Sequence, residues 1–457
     1  MSTTVTPVGA ARPGTPGGTW LDHWEPENPA FWAARGSKVA WRSLGITTFN
    51  LTLAFIIWFV VSALVVRLPG LGFKLTTSQL FWLAAMPGLA GGTLRILHTF
   101  LTPMLGARHV VTLSTLSLLV PALGWFYAVQ DPTTPYWVLI LLAFLAGLGG
   151  GNFSSFMPAT SLFFPKRLAG TALAIQAGIG NFGVSVVQFV TPWVIGFALA
   201  DGLLGEGQSF NAQGGATRTL WLQNATAIYV PLILLGVAAA WFALRSVPVR
   251  ANFREQLDIF SLKHGLIMTV LYIMTFGIFS GMAAVFPLLI KQCYGALPGA
   301  PDPLTYAFLG PLVGSVARIA GGPIADRFGG ARVTQVAGIG MLACTLAVPF
   351  YTSPDSMADF SGFLASMLGL FFFSGIGNAS TFKQMPMLFP PRQAGGVIGW
   401  TGAMAAYGPF ACGMLIGQSI AFFGTPNAFF WWCAVYFTVC IGLNWWFYAR
   451  RNAPNPC

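Results

Sequence analysis

GNFSSFMPATSLFFPKRLAG (residues 151–170) aligns without a gap to GNASTFKQMPMLFPPRQAGG (residues 377–396), at a constant offset of 226 residues. Gly151/Gly377, Asn152/Asn378, Phe156/Phe382, Leu162/Leu388, Phe163/Phe389, Pro165/Pro391 and Gly170/Gly396 are identical, and Lys166/Arg392 keeps the charge. Such a match implies an internal duplication. The composition says what kind of unit is duplicated. Of 457 residues 55% are hydrophobic and only 8% charged, about a third of the charged fraction of a soluble domain. Apolar runs recur along the chain, each of about 18 residues or more and so able to cross roughly 30 Å of hydrocarbon.

Bounded by charges, Pro and Gly, these runs predict twelve spans near 44–66, 79–101, 110–129, 136–162, 169–199, 225–245, 264–290, 304–325, 332–350, 360–388, 395–422 and 427–448. The most polar internal segment is RSVPVRANFREQLDIFSLKH (245–264). The expected fold is therefore an all-α membrane protein of two pseudo-symmetric six-helix bundles, 44–245 and 264–448. A tail with an interfacial segment (1–43), a linker (246–263) and a second tail (449–457) complete the chain. Residues 1–20 are rich in Pro, Gly and Thr, with no apolar run to suggest a signal peptide.

Basic residues set the orientation. With the N-terminus in the cytoplasm, 16 Lys and Arg fall inside and four (Arg67, Lys74, Arg218, Lys291) outside. Both termini are thus expected to be cytoplasmic, in a plasma (inner) membrane. The net charge of +11 reads as loop anchoring, not as affinity for nucleic acid. The six cysteines are scattered, with no ligand spacing that implies a metal, and no cofactor is expected.

Three basic residues remain, and all lie within spans: Arg95, Arg318 and Lys383. By the same reading all twelve carboxylates fall in tails or loops, so the interior holds positive charge without a fixed counter-ion. Arg95 in FWLAAMPGLAGGTLRILHTFL (81–101) and Arg318 in GSVARIAGGPIADRFGGAR (314–332) are placed alike, each four residues after a glycine and followed by isoleucine. At about 1.5 Å per residue each lies roughly 12–15 Å from the cytoplasmic edge, too deep for a guanidinium to snorkel. Inserting each costs roughly 2.5–3.5 kcal/mol. An arginine tied only to helix carbonyls would be the structural explanation; a pair of cations facing one cavity, whose counter-charge is the substrate, is the functional one. The forked guanidinium suits small planar oxyanions such as carboxylate, nitrate or nitrite, and it stays protonated at physiological pH.

GGPIADRFGG (321–330), with Gly322, Asp326, Arg327 and Gly329 in a G-x-x-x-D-R-x-G pattern, resembles the loop between helices eight and nine of the major facilitator superfamily. There the loop latches helices during gating, which implies a conformational latch at Asp326 and Arg327. Nearly the whole chain is similar to the NarK-type nitrate/nitrite porters of that superfamily. The resemblance rests on PENPAFW (26–32), LRI around Arg95, GNFSSF (151–156), the AGxGNxG core at Ala177, Gly178, Gly180, Asn181 and Gly183, YIMTFG (272–277) and ARIAGG around Arg318. It implies that Arg95 and Arg318 clamp the anion, that Phe153 and Phe276 sandwich its flat face, and that Tyr272 and Asn181 donate hydrogen bonds.

Gly178, Gly180 and Gly183, with Gly402 and Gly408 in TGAMAAYGPFACG (401–413), are signature glycines that let helices approach closely and are candidates for gating. The last stretch departs from the family pattern at Ala405 and Pro409. His98, one turn after Arg95, and Lys383 are candidates for coupling. The resemblance implies a monomeric nitrate/nitrite antiporter working in the lipid bilayer by alternating access. Proton-coupled nitrate symport is the alternative within the class; a non-transporting anion receptor is the alternative outside it. No nucleophile–base pair, metal cluster or phosphate loop suggests an enzyme.

Overall fold

The computed structural model describes residues 20–199, 204–211, 217–247, 262–389 and 391–457. The first 19 residues of the expected tail and residues 248–261 of the expected linker lie outside the described residues. Among the described residues twelve helices are long and apolar enough to cross a membrane. They are α1 (Pro29–Leu64), α2 (Thr77–Thr99), α3 (Met104–Ala128), α4 (Tyr136–Ser161), α5 (Thr171–Val194) and α6 (Asn224–Ala243), then α7 (Lys263–Tyr294), α8 (Pro303–Phe328), α9 (Gly330–Tyr351), α10 (Met357–Leu388), α11 (Gly396–Phe423) and α12 (Asn427–Ala449). Their apolar windows sort them by depth. In α7 94% of the window is buried and in α1 78%, against 39% in α6, α9 and α12. The first two are therefore central, and the last three form the lipid-facing rim, where Phe242, Phe350 and Trp432 are exposed.

Four local features differ from the sequence-based expectation. The first helix begins at Pro29, inside the expected tail, because Asn28 caps it by accepting from the Ala30 and Phe31 amides and Pro29 needs no amide partner. Helices α2 and α3 join almost without interruption; the chain turns only at Gly106 (φ 78°, ψ 157°), a conformation suited to glycine. Between α5 and α6 the expected loop holds an antiparallel hairpin of β1 (Gln208–Asn211) and β2 (Thr217–Leu220). Asp326 and Asp359, expected in loops, stand in terminal turns of α8 and α10.

On the face carrying the first and last described residues, Trp24 donates to the Leu162 carbonyl at 3.1 Å and packs edge-on against Phe163. The Leu21 amide donates to Ser246. The leading segment thus straps the ends of α4 and α6.

The two sets of six helices meet along α2–α11, α5–α8 and α1–α7. Thr93 and Tyr407 are hydrogen-bonded at 2.9 Å, Ser185 donates to Phe308 O at 2.9 Å, and Gln188 bridges Ser62 and Ala283 O. Close approach depends on missing side chains. A Cβ on Gly149 would lie 2.1 Å from Ala54 O, and one on Gly408 would lie 2.0 Å from Gly277 O. The arginine-bearing repeat keeps like surroundings: Gly91 sits against Trp58 of α1, and Gly314 against Phe279 of α7. The longer repeat does not, since Gly151 faces Leu94 and His98 of α2 whereas Gly377 faces Thr275 of α7.

Gly149→Ala is expected to destabilise the protein by about 1–3 kcal/mol, because a backbone oxygen cannot yield as a side chain can. Gly442→Ala, inside α12 with nothing within 4 Å of its Cβ position, is expected to stabilise it by roughly 0.5–1 kcal/mol. Thermal unfolding of the two variants in detergent should move in opposite directions.

Candidate functional site

Helix α4 is interrupted at Gly147 and Asn152, on either side of the short turn Leu148–Gly151. In that turn the Gly150 carbonyl accepts from Arg95 Nε at 2.9 Å. Across the interface the Gly402 carbonyl accepts from Arg95 Nη1 at 2.8 Å. Helix α11 is itself broken just beyond, between Ala405 and Gly408, with Pro409 opening the second segment. These two carbonyls account for part of the guanidinium, as the structural explanation for a buried arginine requires. Nη2 is buried with no partner.

Three rings surround Arg95. Its Cζ lies 4.7 Å from the Phe153 centroid, 5.2 Å from that of Phe276 and 5.2 Å from that of Trp58. Phe153 and Phe276 are near-parallel, 6.5 Å apart with 24° between planes. The first two distances together well exceed 6.5 Å, so the guanidinium stands beside the slot between the rings and not inside it. Arg318 approaches Phe276 too, with Cζ 5.9 Å from its centroid. Tyr272 stacks on Phe276 at 5.5 Å and 14°, and a π-helical turn over Ile273–Gly277 holds the two rings on α7. Such turns recur at functional sites because they re-aim side chains within a helix.

Part of the unmet hydrogen-bonding capacity of the described residues lies here. Arg95 Nη2, Arg318 Nη1 and the Tyr272 hydroxyl lack close partners beside these rings; both amide atoms of Asn181, on α5, are likewise buried without partners. Tyr272 is near enough to both guanidiniums to interact electrostatically with each, and its hydroxyl lies within weak hydrogen-bonding reach of Arg318. Each unpartnered buried group costs about 1–3 kcal/mol. Among the described residues neither Arg95 nor Arg318 is in an ion pair. The site is positive, aromatic, and short of acceptors.

The signature glycines of α5 bring neighbouring helices to this region. Gly178 faces Ile319, the residue after Arg318; Gly180 faces Leu51 and Gly183 faces Thr52 O of α1. His98 is buried, with Nδ1 2.9 Å from Ser155 Oγ, which in turn donates to Asn152 O. Lys383 departs from the sequence reading. It is not an uncompensated interior charge but pairs with Asp326 at an exposed position, 43% and 60% of the side chains being accessible. Helices α8 and α10 pack so that a lysine and an aspartate 57 residues apart meet. The interior cations are thus Arg95 and Arg318. Arg327 is exposed and lies over Phe328.

Sequence reasoning missed Trp58, which donates to Pro87 O at 2.8 Å while its ring faces Arg95; a tryptophan in an apolar span carries no signal of such a role. It also assigned nothing to Asn152 and Asn378, identical across the repeat and both buried with unpartnered amides.

Twelve helices in two packed sets, closing on a buried cationic site, define a membrane transporter. The model of the Major Facilitator Superfamily matches residues 46–386, and the chain belongs to that superfamily. Over 440 residues it is 64% identical to the probable nitrate/nitrite antiporter NarK2 of Thermus thermophilus, covering 96% of this chain and 99% of that protein. It is 37% identical over 457 residues to the nitrate/nitrite transporter NarU of Escherichia coli (94% and 96% covered) and 26% identical over 373 residues to the nitrite extrusion protein of Bacillus subtilis (80% and 84%). Within the superfamily the chain is a member of the NarK-type nitrate/nitrite porters. The crystal structure of a mutant of the nucleoside transporter NupG shares the fold, with a TM-score of 0.60 at 12% identity over 89% of this chain and 98% of that one.

Because both partners are well exposed, Lys383→Met is expected to change stability by less than about 1 kcal/mol. The thermal midpoint in detergent should stay within about 2–4 °C of the unsubstituted protein.

Proposed function

We propose that the protein exchanges nitrate for nitrite by alternating access, with the anion clamped between Arg95 and Arg318. One observation carries this: buried polar atoms on Arg95, Arg318 and Tyr272 lack close partners beside two phenyl rings, and among the described residues no acid pairs with either arginine. A planar oxyanion supplies the missing acceptors. Its oxygens take Nη2 of Arg95, Nη1 of Arg318, the Tyr272 hydroxyl and the Asn181 amide, and its flat face enters between Phe153 and Phe276. Two van der Waals layers need about 7 Å, so rings whose centroids lie 6.5 Å apart must part by at least roughly half an ångström. Nitrate and nitrite are planar, singly charged and weakly hydrated, so they lose little on leaving water. The names of the relatives support the same pair of anions.

Exchange follows from electrostatics. Two like charges in one dry space repel and are costly to enclose; a bound anion offsets that cost, so the loaded carrier reorients more readily than the empty one. Asp326 and Lys383, bonded between α8 and α10, then hold a rim contact on the termini-bearing face, with Arg327 beside it. The glycines at 178, 180, 183, 402 and 408 serve as sliding contacts. We place that face in the cytoplasm and the protein in the plasma membrane as a monomer, supported by the bias of basic residues and by a site complete within one chain.

Arg95→Lys and Arg318→Lys should each lower exchange by at least about tenfold, since an ammonium cannot reproduce the fork and leaves the site short of donors. Uptake of labelled nitrate into proteoliposomes loaded with nitrite measures this, and unsubstituted rates in either variant would refute the clamp. The same assay should vary little between about pH 6 and pH 7.5, where guanidinium does not titrate. Uptake driven by an imposed pH gradient into vesicles lacking internal anion would instead establish symport, with His98 as the first proton carrier to test.

A further inference from the structure

On the hairpin-bearing face a second group of cations surrounds one carboxylate. Arg67, at the end of α1, places Nη2 2.7 and 2.6 Å from the two oxygens of Asp302, which caps α8. Arg218 of β2 approaches the same carboxylate at 3.7 Å. Lys291 of α7 donates to Val66 O at 2.6 Å and is near enough to interact with both Arg67 and Asp302. The cluster ties the first six helices to the last six at this face. It holds three cations and one acid.

Its donor set repeats that of the central site. Arg67 and Arg218 stand over one phenyl ring, Phe210, with Cζ 5.7 and 5.3 Å from its centroid. Arg95 and Arg318 stand over Phe276 at 5.2 and 5.9 Å. In the outer cluster a planar oxyanion is already in place: the Asp302 carboxylate. Arg67 is only 4% exposed, and its Nε is buried without a partner, so the arginine has donor capacity that Asp302 leaves unused. Arg67, Phe210 and Arg218 belong to the first six helices and Asp302 to the last six. Parting the two sets on this face therefore removes the acid and leaves the two guanidiniums and the ring together.

We propose that Arg67, Arg218 and Phe210 form an outer reception site for small planar oxyanions, occupied by Asp302 while this face is closed. An anion from the hairpin side competes with Asp302 and thereby favours opening. The proposal rests on the alternating-access reading of the central site, but it concerns a different pair of arginines and a different step.

The test uses a cysteine reporter in the closed interface. Ala84 lines a small cavity with Trp58, Ala284 and Pro409 on the hairpin side of Arg95. Ala84→Cys is introduced in a protein whose six native cysteines are replaced and whose nitrate–nitrite counterflow is intact, and is reacted with a membrane-impermeant thiol reagent from the hairpin side. Asp302→Asn is expected to speed labelling about tenfold, by removing one partner of a hydrogen-bonded charge pair. In the reporter protein with Asp302 present, sodium nitrate should speed labelling more than sodium chloride at equal ionic strength. Arg218→Gln, altered on an exposed hairpin, should lose that nitrate effect and raise the half-saturating external nitrate while keeping the maximal counterflow rate.

Labelling unaffected by Asp302→Asn, acceleration by chloride equal to that by nitrate, or a nitrate effect that survives Arg218→Gln would each overturn the proposal. The last result would assign the effect to the central site. Failure of the central reading itself would appear differently, as absent counterflow in the protein with all these residues intact.

Discussion

Two guanidiniums enclosed without an acid are the constraint on which the molecule depends. Both Cζ atoms lie within 6 Å of the Phe276 centroid, so they are no more than about 11 Å apart, and at an effective dielectric of about 20 they repel by roughly 1.5 kcal/mol or more. A monovalent anion about 4 Å from each would return roughly 4 kcal/mol per contact on the same scale. Under the proposed exchange, the empty and loaded carriers would differ by several kcal/mol in how readily they enclose the site. That difference is the size needed to shift a conformational population strongly. The aromatic rings moderate the cost of the empty state by placing quadrupoles against Arg95, without supplying a counter-charge that would have to be displaced.

The packing around the pair follows from the same need. An arginine held only by its own helix would sample several rotamers. Arg95 is fixed by carbonyls from α4 and from α11, which belong to opposite sets of helices. The two carbonyls come from glycines beside breaks in those helices. The bond to Gly402 O spans the interface, so movement of α11 against α2 alters the guanidinium directly. A coupling between site and interface is thereby built into one hydrogen bond.

The spans, their number and the two interior arginines were legible in the sequence because lipid imposes a length and penalises charge, and both constraints act on single residues. Boundaries agree to within a few residues except at α1, where the capping pair Asn28–Pro29 was present but Arg35, Lys38 and Arg42 made the segment read as a tail. Of the residues expected at the site by resemblance, Arg95, Arg318, Phe153, Phe276 and Tyr272 lie near one another in the structure. What remained hidden was tertiary. Lys383 meets Asp326 only through the packing of α10 on α8. Trp58 meets Arg95 only because Gly91 and Gly150 leave room for its indole. The hairpin 208–220 was obscured by glycines before β1 and between the two strands, in strands of four residues each, too short for alternation to register.

The distribution of acids explains why the central and outer clusters differ although their donors are alike. A fixed carboxylate beside Arg95 and Arg318 would satisfy them in every conformation and leave nothing for a substrate to offset; the site would be a structural ion pair, worth little to the fold once desolvation is included. At the outer face Arg67 and Asp302 sit on opposite sets of helices, so under the proposed alternating access the pair would separate when that face opens. On the proposed reading, a counter-ion that travels with the partner set acts as a latch, and one that travels with the solvent acts as a substrate. Two arginines against a phenyl ring can serve either purpose, and the choice is made by where the nearest aspartate is attached.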